Sequence, residues 1–186
     1  MQFSLFGAAA AEPSPDDLAG VLLAGGQWVR SAEGARLSVV VADQWRAEAL
    51  SEAFAQRDVG GDTVPAEGGC GVRTRFSPQL APAAASWTRG ANQGPPAGFA
   101  LSPGGLRLWV VAAGHADAAG YVLGTAEADG AVHLVGGAQL ARLGLAAVSL
   151  AARGGPGWRI TSAKRLRRLA ELLDEPPAGA GQDWPK

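Results

Sequence analysis

Cysteine is almost absent from this sequence, since Cys70 is the only one in 186 residues. A single cysteine cannot form an internal disulfide, and two histidines are too few to complete a zinc-binding set with it. We therefore expect no disulfide framework, no metal site and no cofactor. The composition favours a reducing compartment.

Long apolar runs are also missing. No uninterrupted apolar stretch reaches the roughly 18 residues that a membrane span requires. The N-terminal stretch MQFSLFGAAAAEPSP lacks the basic segment that opens a signal peptide. We predict a cytoplasmic protein without a membrane partner, and the bias toward Ala, Gly and Arg over Lys is expected of a GC-rich bacterial genome.

Neither sign of charge dominates. The chain has 16 Lys and Arg against 17 Asp and Glu, so its net charge of -1 does not by itself indicate a nucleic-acid ligand. The basic residues are nevertheless segregated, because no acid lies between Glu67 and Asp117 or between Asp129 and Glu171. Two long segments of the chain are therefore purely basic in their charged residues.

The apolar pattern of the first half predicts five elements in a row. A capped helix at SPDDLAGVLLAGG is followed by a hairpin, a helix that begins after Asp43, a second hairpin and a Pro-interrupted helical turn. In the first hairpin Leu37, Val39 and Val41 alternate with Arg36, Ser38 and Val40, which indicates one buried face.

The second half is predicted to repeat this order. GGLRLWVVAAGH indicates a helix, GYVLGTA and AVHLVGG indicate strands, AQLARLGL a helix, AAVSLAARGGPGWRIT a hairpin and SAKRLRRLAELL a capped amphipathic helix. VRTRFSPQLAPAA and WRITSAKRLRRLA align without a gap, matching Arg73 with Arg159. We therefore predict repeats over residues 14–88 and 104–174, a linker over 89–103, and flexible termini at 1–13 and 175–186.

Both predicted repeats open with an apolar helix that ends in small residues. Residues 18–26, LAGVLLAGG, match the name motif of the LAGLIDADG homing endonucleases at five of nine positions, and LRLWVVAAG resembles the second motif helix of that family. The resemblance implies an α+β fold of two tandem αββαββα repeats that form a pseudo-twofold saddle. It also implies that the two motif helices pack against each other.

The resemblance places the family's catalytic acids at known positions. The last acid of each motif binds a divalent metal in that family, and these positions fall on Gly25 and Ala113, which offer no carboxylate. We therefore predict that the chain is not an enzyme and that its motif helices serve packing. The alternatives are an active nuclease that uses another acid, such as Asp117, and an ordinary Ala- and Gly-rich helix with a chance match.

The family binds double-stranded DNA by laying two sheets along the major groove, where arginine and polar side chains read base edges. The candidate strand contacts here are Arg36, Ser38, Arg73, Arg75, Ser149, Arg153, Arg159 and Thr161, and Lys164, Arg165 and Arg168 of the last helix are candidate phosphate contacts. Weaker candidates are Gln27, Arg30, Tyr121, Thr125 and His133. Simple solvation of a polar face is the alternative role for these side chains.

We predict that the chain binds double-stranded DNA in a regulatory or accessory role in DNA metabolism. It would act as a monomer, since its internal repeat replaces a second copy. The alternative is a protein-interaction module that docks onto a larger DNA-processing protein or another partner. The near-neutral net charge favours that alternative.

Overall fold

Two four-stranded antiparallel sheets with the same strand order form the framework of the computed structural model, which describes residues 11–150 and 155–186. The strands are β1 (Gln27–Ser31), β2 (Gly34–Val41), β3 (Asp62–Ala66), β4 (Gly69–Arg73), β5 (Thr88–Arg89), β6 (Asn92–Gln93), β7 (Gly114–Asp117), β8 (Gly120–Gly124), β9 (Val148–Leu150) and β10 (Gly157–Ile160). The first sheet has the order β1-β2-β4-β3, the second has the order β7-β8-β10-β9, and β5 and β6 form a short ribbon.

Six α-helices occur in the described part of the chain. They are α1 (Ala19–Leu23), α2 (Gln44–Ala55), α3 (Ala81–Ser86), α4 (Pro103–Ala113), α5 (Ala131–Arg142) and α6 (Ala163–Leu173). Within the described ranges, none of the helices is long and apolar enough to cross a lipid bilayer. The order helix, hairpin, helix, hairpin, helix occurs twice, which confirms the predicted α+β fold of two αββαββα repeats.

The two motif helices, α1 and α4, pack against each other through glycine. A Cβ atom built on Gly20 would lie 1.8 Å from the carbonyl oxygen of Gly105, so the two backbones are in direct contact. Only glycine leaves room for such an approach. The predicted packing of the motif helices is confirmed.

A buried carboxylate fastens the N-terminal ends of these two helices. Asp17 precedes α1 and accepts hydrogen bonds from Ser102 Oγ at 2.6 Å and from Arg57 Nη2 at 2.6 Å. Ser102 is the N-cap of α4, and its Oγ also accepts from the backbone N–H of Gly105. Asp17 and Arg57 are both buried in the first repeat and neutralise each other there, while the hydrogen bond from Ser102 crosses the interface between the repeats.

AVHLVGG was predicted to be a strand, and this prediction is wrong because the segment belongs to α5. The strand that pairs with β8 is instead β7, which immediately follows α4. Five residues of the helix are buried, and four of them, His133, Gly136, Gly137 and Leu140, follow a helical spacing; the fifth is Gln139. Two of these four are glycines, so the apolar side chains of the segment do not by themselves show a helical period.

Tryptophan rings explain why α5 needs those glycines. A Cβ atom on Gly136 would lie 2.9 Å from Cη2 of Trp109, and one on Gly137 would lie 2.2 Å from Cζ2 of Trp158. The two indole rings thus occupy the space that side chains would take. This packing holds α5 against α4 and the second sheet.

His133 links α5 to the strands of the second sheet. Its Nδ1 lies 2.9 Å from Thr125 Oγ1, its Nε2 lies 2.9 Å from Ser149 Oγ, and its ring stacks on Trp158 with centroids 4.6 Å apart. Burial lowers the pKa of His133 below its ordinary value, although the charge of Asp129 opposes this effect. The folded protein therefore favours the neutral imidazole.

The C-terminal tail, predicted to be flexible, makes side-chain contacts with the second repeat. Trp184 is buried, lies 4.9 Å from the guanidinium of Arg107 and donates a hydrogen bond to the carbonyl of Asp174. The hydroxyl of Tyr121 donates to the carbonyl of Asp183 at 2.6 Å. Residues 1–10, also expected to be flexible, lie outside the described residues.

Replacing Gly20 with alanine should destabilise the fold strongly. The added methyl group would displace the backbone of α4, so we expect the free energy of unfolding to fall by about 3 kcal/mol or more. Gly94→Ala is the control, because a Cβ atom there meets no other atom within 4 Å. Urea denaturation should show no change for the control beyond about 0.5 kcal/mol. Equal stabilities of the two variants would contradict the described helix contact.

The lowered pKa of His133 predicts a pH dependence of stability. As the pH falls below about 6.5, His133 binds a proton in the unfolded chain more readily than in the folded protein. The free energy of unfolding should therefore decrease toward lower pH, by at most about 1.4 kcal/mol per pH unit. Urea denaturation between about pH 7 and pH 5 should show a flatter profile for His133→Gln. If the pH dependence of stability were the same in this variant as in the parent chain, His133 would not be its cause.

Candidate functional site

One face of each sheet points away from the helices, and we call these the outer faces. On β2 the buried residues Leu37, Val39 and Val41 point toward the helices. The alternating residues Arg36, Ser38 and Val40 point outward. Because residues directly opposite each other in an antiparallel sheet share a face, the strand register identifies the other members of each outer face.

A polar row crosses the outer face of the first sheet. Gln27 pairs with Ser38, Ser38 pairs with Arg73, and Arg73 pairs with Asp62. The guanidinium of Arg73 donates two hydrogen bonds to the carboxylate of Asp62, with Nε 3.1 Å from Oδ1. This pairing lowers the pKa of Asp62 and raises that of Arg73, so both remain charged.

The second sheet carries its own arginine at the corresponding place. Arg159 on β10 pairs with Val122 on one side and Val148 on the other. Its Nε lies 2.9 Å from Oδ2 of Asp117. Burial opposes ionisation of Asp117, but hydrogen bonds from the backbone of Ala119 and from Arg159 lower its pKa below the ordinary value.

Arg73 and Arg159 are therefore equivalent in sequence and in structure. Each lies on the same strand of its sheet and on the outer face. Each binds a carboxylate through Nε and Nη2, which leaves other guanidinium N–H groups to donate elsewhere. Such a group is oriented for bidentate contact with a planar acceptor, such as a guanine edge or a phosphate.

Neither aspartate of these pairs was predicted from the sequence to be a partner of its arginine. The tight turn at Glu67 and Gly68 was a signal for Asp62, because it sets the register that places Asp62 opposite Arg73. No local signal existed for Asp117, which reaches Arg159 across β8. Their charges reduce the positive potential of both outer faces.

The other candidates in the first sheet occupy several environments. The guanidinium of Arg36 stacks 4.7 Å above the ring of Phe76 on the outer face. Arg75 is exposed just beyond β4 and donates to the carbonyl of Asp58. Gln27 belongs to the outer polar row, whereas Arg30 pairs with the buried Ala35 and so lies on the helix side of the sheet.

Several candidates in the second sheet do not lie on its outer face. Ser149 pairs with Trp158 and bonds to His133, so it belongs to the helix side. The prediction that Ser149 lies on the DNA-facing side of β9 is therefore wrong. The weaker candidates Tyr121, Thr125 and His133 are buried and bonded internally, which excludes them as surface contacts.

Two further strand candidates and the basic helix remain. Thr161 is exposed in the connection after β10, and Arg153 lies outside the described residues. Lys164 and Arg165 are exposed on α6, and Arg168 lies 3.9 Å from Glu171. Since α6 packs against α4, these three side chains belong to the helical layer and not to the outer faces.

The C-terminal ends of α1 and α4 are the places where the resemblance puts catalytic acids. Gly25 follows α1 with a φ of +104°, a conformation that disfavours any side chain. Beside Ala113, the guanidinium of Arg46 donates to the carbonyls of Val111 at 2.8 Å and Gly114 at 2.7 Å. A buried cation thus satisfies the last carbonyls of α4.

These helix ends do not match the carboxylate set that the resemblance implies for a divalent cation. Neither Gly25 nor Ala113 has an oxygen donor in its side chain. In the described part of the chain, no three His, Cys, Asp or Glu side chains gather into a possible metal site. We therefore derive no chemical step through a metal at this position.

Comparison with known proteins gives a structural match only. No protein-family model and no curated protein matches the sequence. The structure is similar to that of the homing endonuclease I-WcaI bound to its DNA recognition sequence, with a TM-score of 0.67 and 12% sequence identity. The match covers 100% of this chain and 90% of that one.

The prediction that the chain is not an enzyme is contradicted by this match. It rested on two positions, Gly25 and Ala113, whereas the similarity to an endonuclease extends over the whole chain. The missing carboxylates remove two side-chain ligands only. Hard cations also accept backbone carbonyl and other oxygen ligands, so two residues cannot exclude a reaction.

The architecture and the comparison lead to the same fold. Two repeats with identical strand order meet through a glycine contact between their leading helices. The solved structure with which they align is a homing endonuclease. The chain therefore has the fold of the LAGLIDADG homing endonucleases, as the resemblance of its sequence implied.

Proposed function

We propose that the chain binds double-stranded DNA through the outer faces of its two sheets, in a regulatory or accessory role in DNA metabolism. The observation that carries this proposal is the equivalent placement of Arg73 and Arg159 on those faces. The DNA bound to the similar endonuclease supports the same ligand class.

The dimensions of a sheet suit this ligand. Alternate residues of a strand lie about 6.6 to 6.8 Å apart, which is close to two base-pair steps of about 3.4 Å. The major groove is about 12 Å wide and admits two adjacent strands. The outer-face residues of β2 and β4, or of β8 and β10, could therefore meet successive base pairs.

Some of the remaining predicted contacts take supporting roles in this proposal. Arg36, Ser38, Arg75 and Thr161 would bind beside the two arginines, and Arg153 stays a predicted strand contact. Lys164, Arg165 and Arg168 belong to the helical layer, so they take no part in binding through the outer faces. The repeats over residues 14–88 and 104–174 would each present one sheet from a monomer, joined by the linker 89–103. A protein partner is the competing ligand, and the salt dependence of binding separates the two.

Removing either paired arginine should weaken DNA binding. We expect Arg73→Gln and Arg159→Gln each to lose about 1 to 3 kcal/mol on 30-bp duplexes enriched from a random pool, since each loses a bidentate donor. Fluorescence anisotropy across a salt series is the measurement. Arg142→Gln, an equal charge change at the exposed end of α5, should bind like the parent chain. No binding at low salt, or equal losses in all three variants, would contradict the proposal.

Removing either paired carboxylate should have the opposite effect on non-specific binding. Asp62→Asn and Asp117→Asn free a guanidinium for phosphates, so affinity for unselected duplex DNA should rise. The slope of log K against log salt should steepen by about 1 for each added phosphate contact. Glu48→Gln, on the exposed side of α2, is the control with the same charge change. An unchanged slope in both aspartate variants would show that their arginines do not face DNA.

A further inference from the structure

Exposed apolar side chains are concentrated on the outer faces. In the described part of the chain, four large hydrophobic residues are exposed, namely Val29, Val40, Leu134 and Val148. Three of the four are outer-face valines, and only Leu134 lies on a helix. Val29 is the least exposed of the three, at 36%, and lies opposite Arg36, whereas Val40 and Val148 are each more than half exposed.

The exposed valines lie beside the polar groups of each face. Val148 is directly opposite Arg159 and is 60% exposed. Val40, which is 53% exposed, follows Ser38 by two residues on the same face of β2. Its neighbour across the strands is Gly71, so no side chain from β4 covers it.

The major groove offers one apolar group that suits these side chains. The 5-methyl group of thymine projects into the groove beside the acceptors that arginine binds, and 5-methylcytosine places a methyl group at the same position. Opposite residues on adjacent strands have Cβ atoms about 4.5 to 5.5 Å apart. Val148 is thus close enough to Arg159 for the two to meet neighbouring bases.

We infer that Val40 and Val148 contact the 5-methyl groups of pyrimidines, so that the recognised DNA carries methylated pyrimidines at two positions, one of them beside the base bound by Arg159. This inference rests on the proposed function and names its ligand chemistry. The two exposed valines make binding selective for methylated pyrimidines, because a valine side chain forms no hydrogen bond with the polar edge of an unmethylated pyrimidine.

Replacing thymine with uracil tests the inference, because uracil lacks only the methyl group. Duplexes of 30 bp are enriched on the full chain and then amplified with dTTP or with dUTP. Burying one methyl-sized group contributes about 0.8 kcal/mol. The uracil duplexes should therefore bind roughly fourfold weaker per contact, or about fifteenfold weaker for two.

Variants assign the effect to the two valines. The double variant Val40→Ala, Val148→Ala should bind thymine and uracil duplexes equally, whereas Leu134→Ala should keep the full difference. Val40→Thr and Val148→Thr preserve the β-branched shape and one methyl group, so these variants should keep part of the difference in affinity between thymine and uracil duplexes. These variants alter exposed positions, and urea denaturation of each verifies folding.

A second selection distinguishes thymine from 5-methylcytosine. It uses a pool made with dUTP and 5-methyl-dCTP, in which only cytosine carries the methyl group. Recovery of 5-methylcytosine at the former thymine positions would show that the methyl group alone is read. Recovery of uracil there would overturn the inference, as would equal binding of thymine and uracil duplexes by the parent chain. Failure to enrich any duplex would instead overturn the proposed function together with the inference.

Discussion

The direct backbone contact between Gly20 and Gly105 is the constraint on which the structure depends. It brings the leading helices of both repeats together without intervening side chains. Asp17 then joins the same helices through its hydrogen bond from Ser102, and its buried charge is paired with that of Arg57. Each sheet is attached to one side of this interface, so the positions of both outer faces follow from it.

The two outer faces combine three kinds of group. Arginines provide donors, aspartates hold those arginines in place, and valines provide apolar contacts. The aspartates also explain how a chain with a net charge of -1 can present arginine-bearing faces without a strong positive field. In the proposed DNA complex, such a surface would favour oriented contacts with bases over general attraction to phosphates.

Local periodicity predicted most elements correctly, and the errors have physical causes. The first hairpin was predicted with the correct buried face because Leu37, Val39 and Val41 alternate strictly. AVHLVGG was misassigned because glycines replace apolar residues where α5 meets tryptophan rings. Ser149 was placed on the wrong face because a three-residue strand is too short to show its alternation.

The sequence alone determined the order of the elements, their duplication and the resemblance to the LAGLIDADG fold, because these follow from patterns within short segments. Only the tertiary structure decided that Arg73 and Arg159 are paired with aspartates, that Arg46 binds the end of α4, and that Trp184 anchors the tail. Most of these contacts join residues far apart in the chain. Tertiary packing determines which residues meet, and a pattern within a short segment carries no information about it.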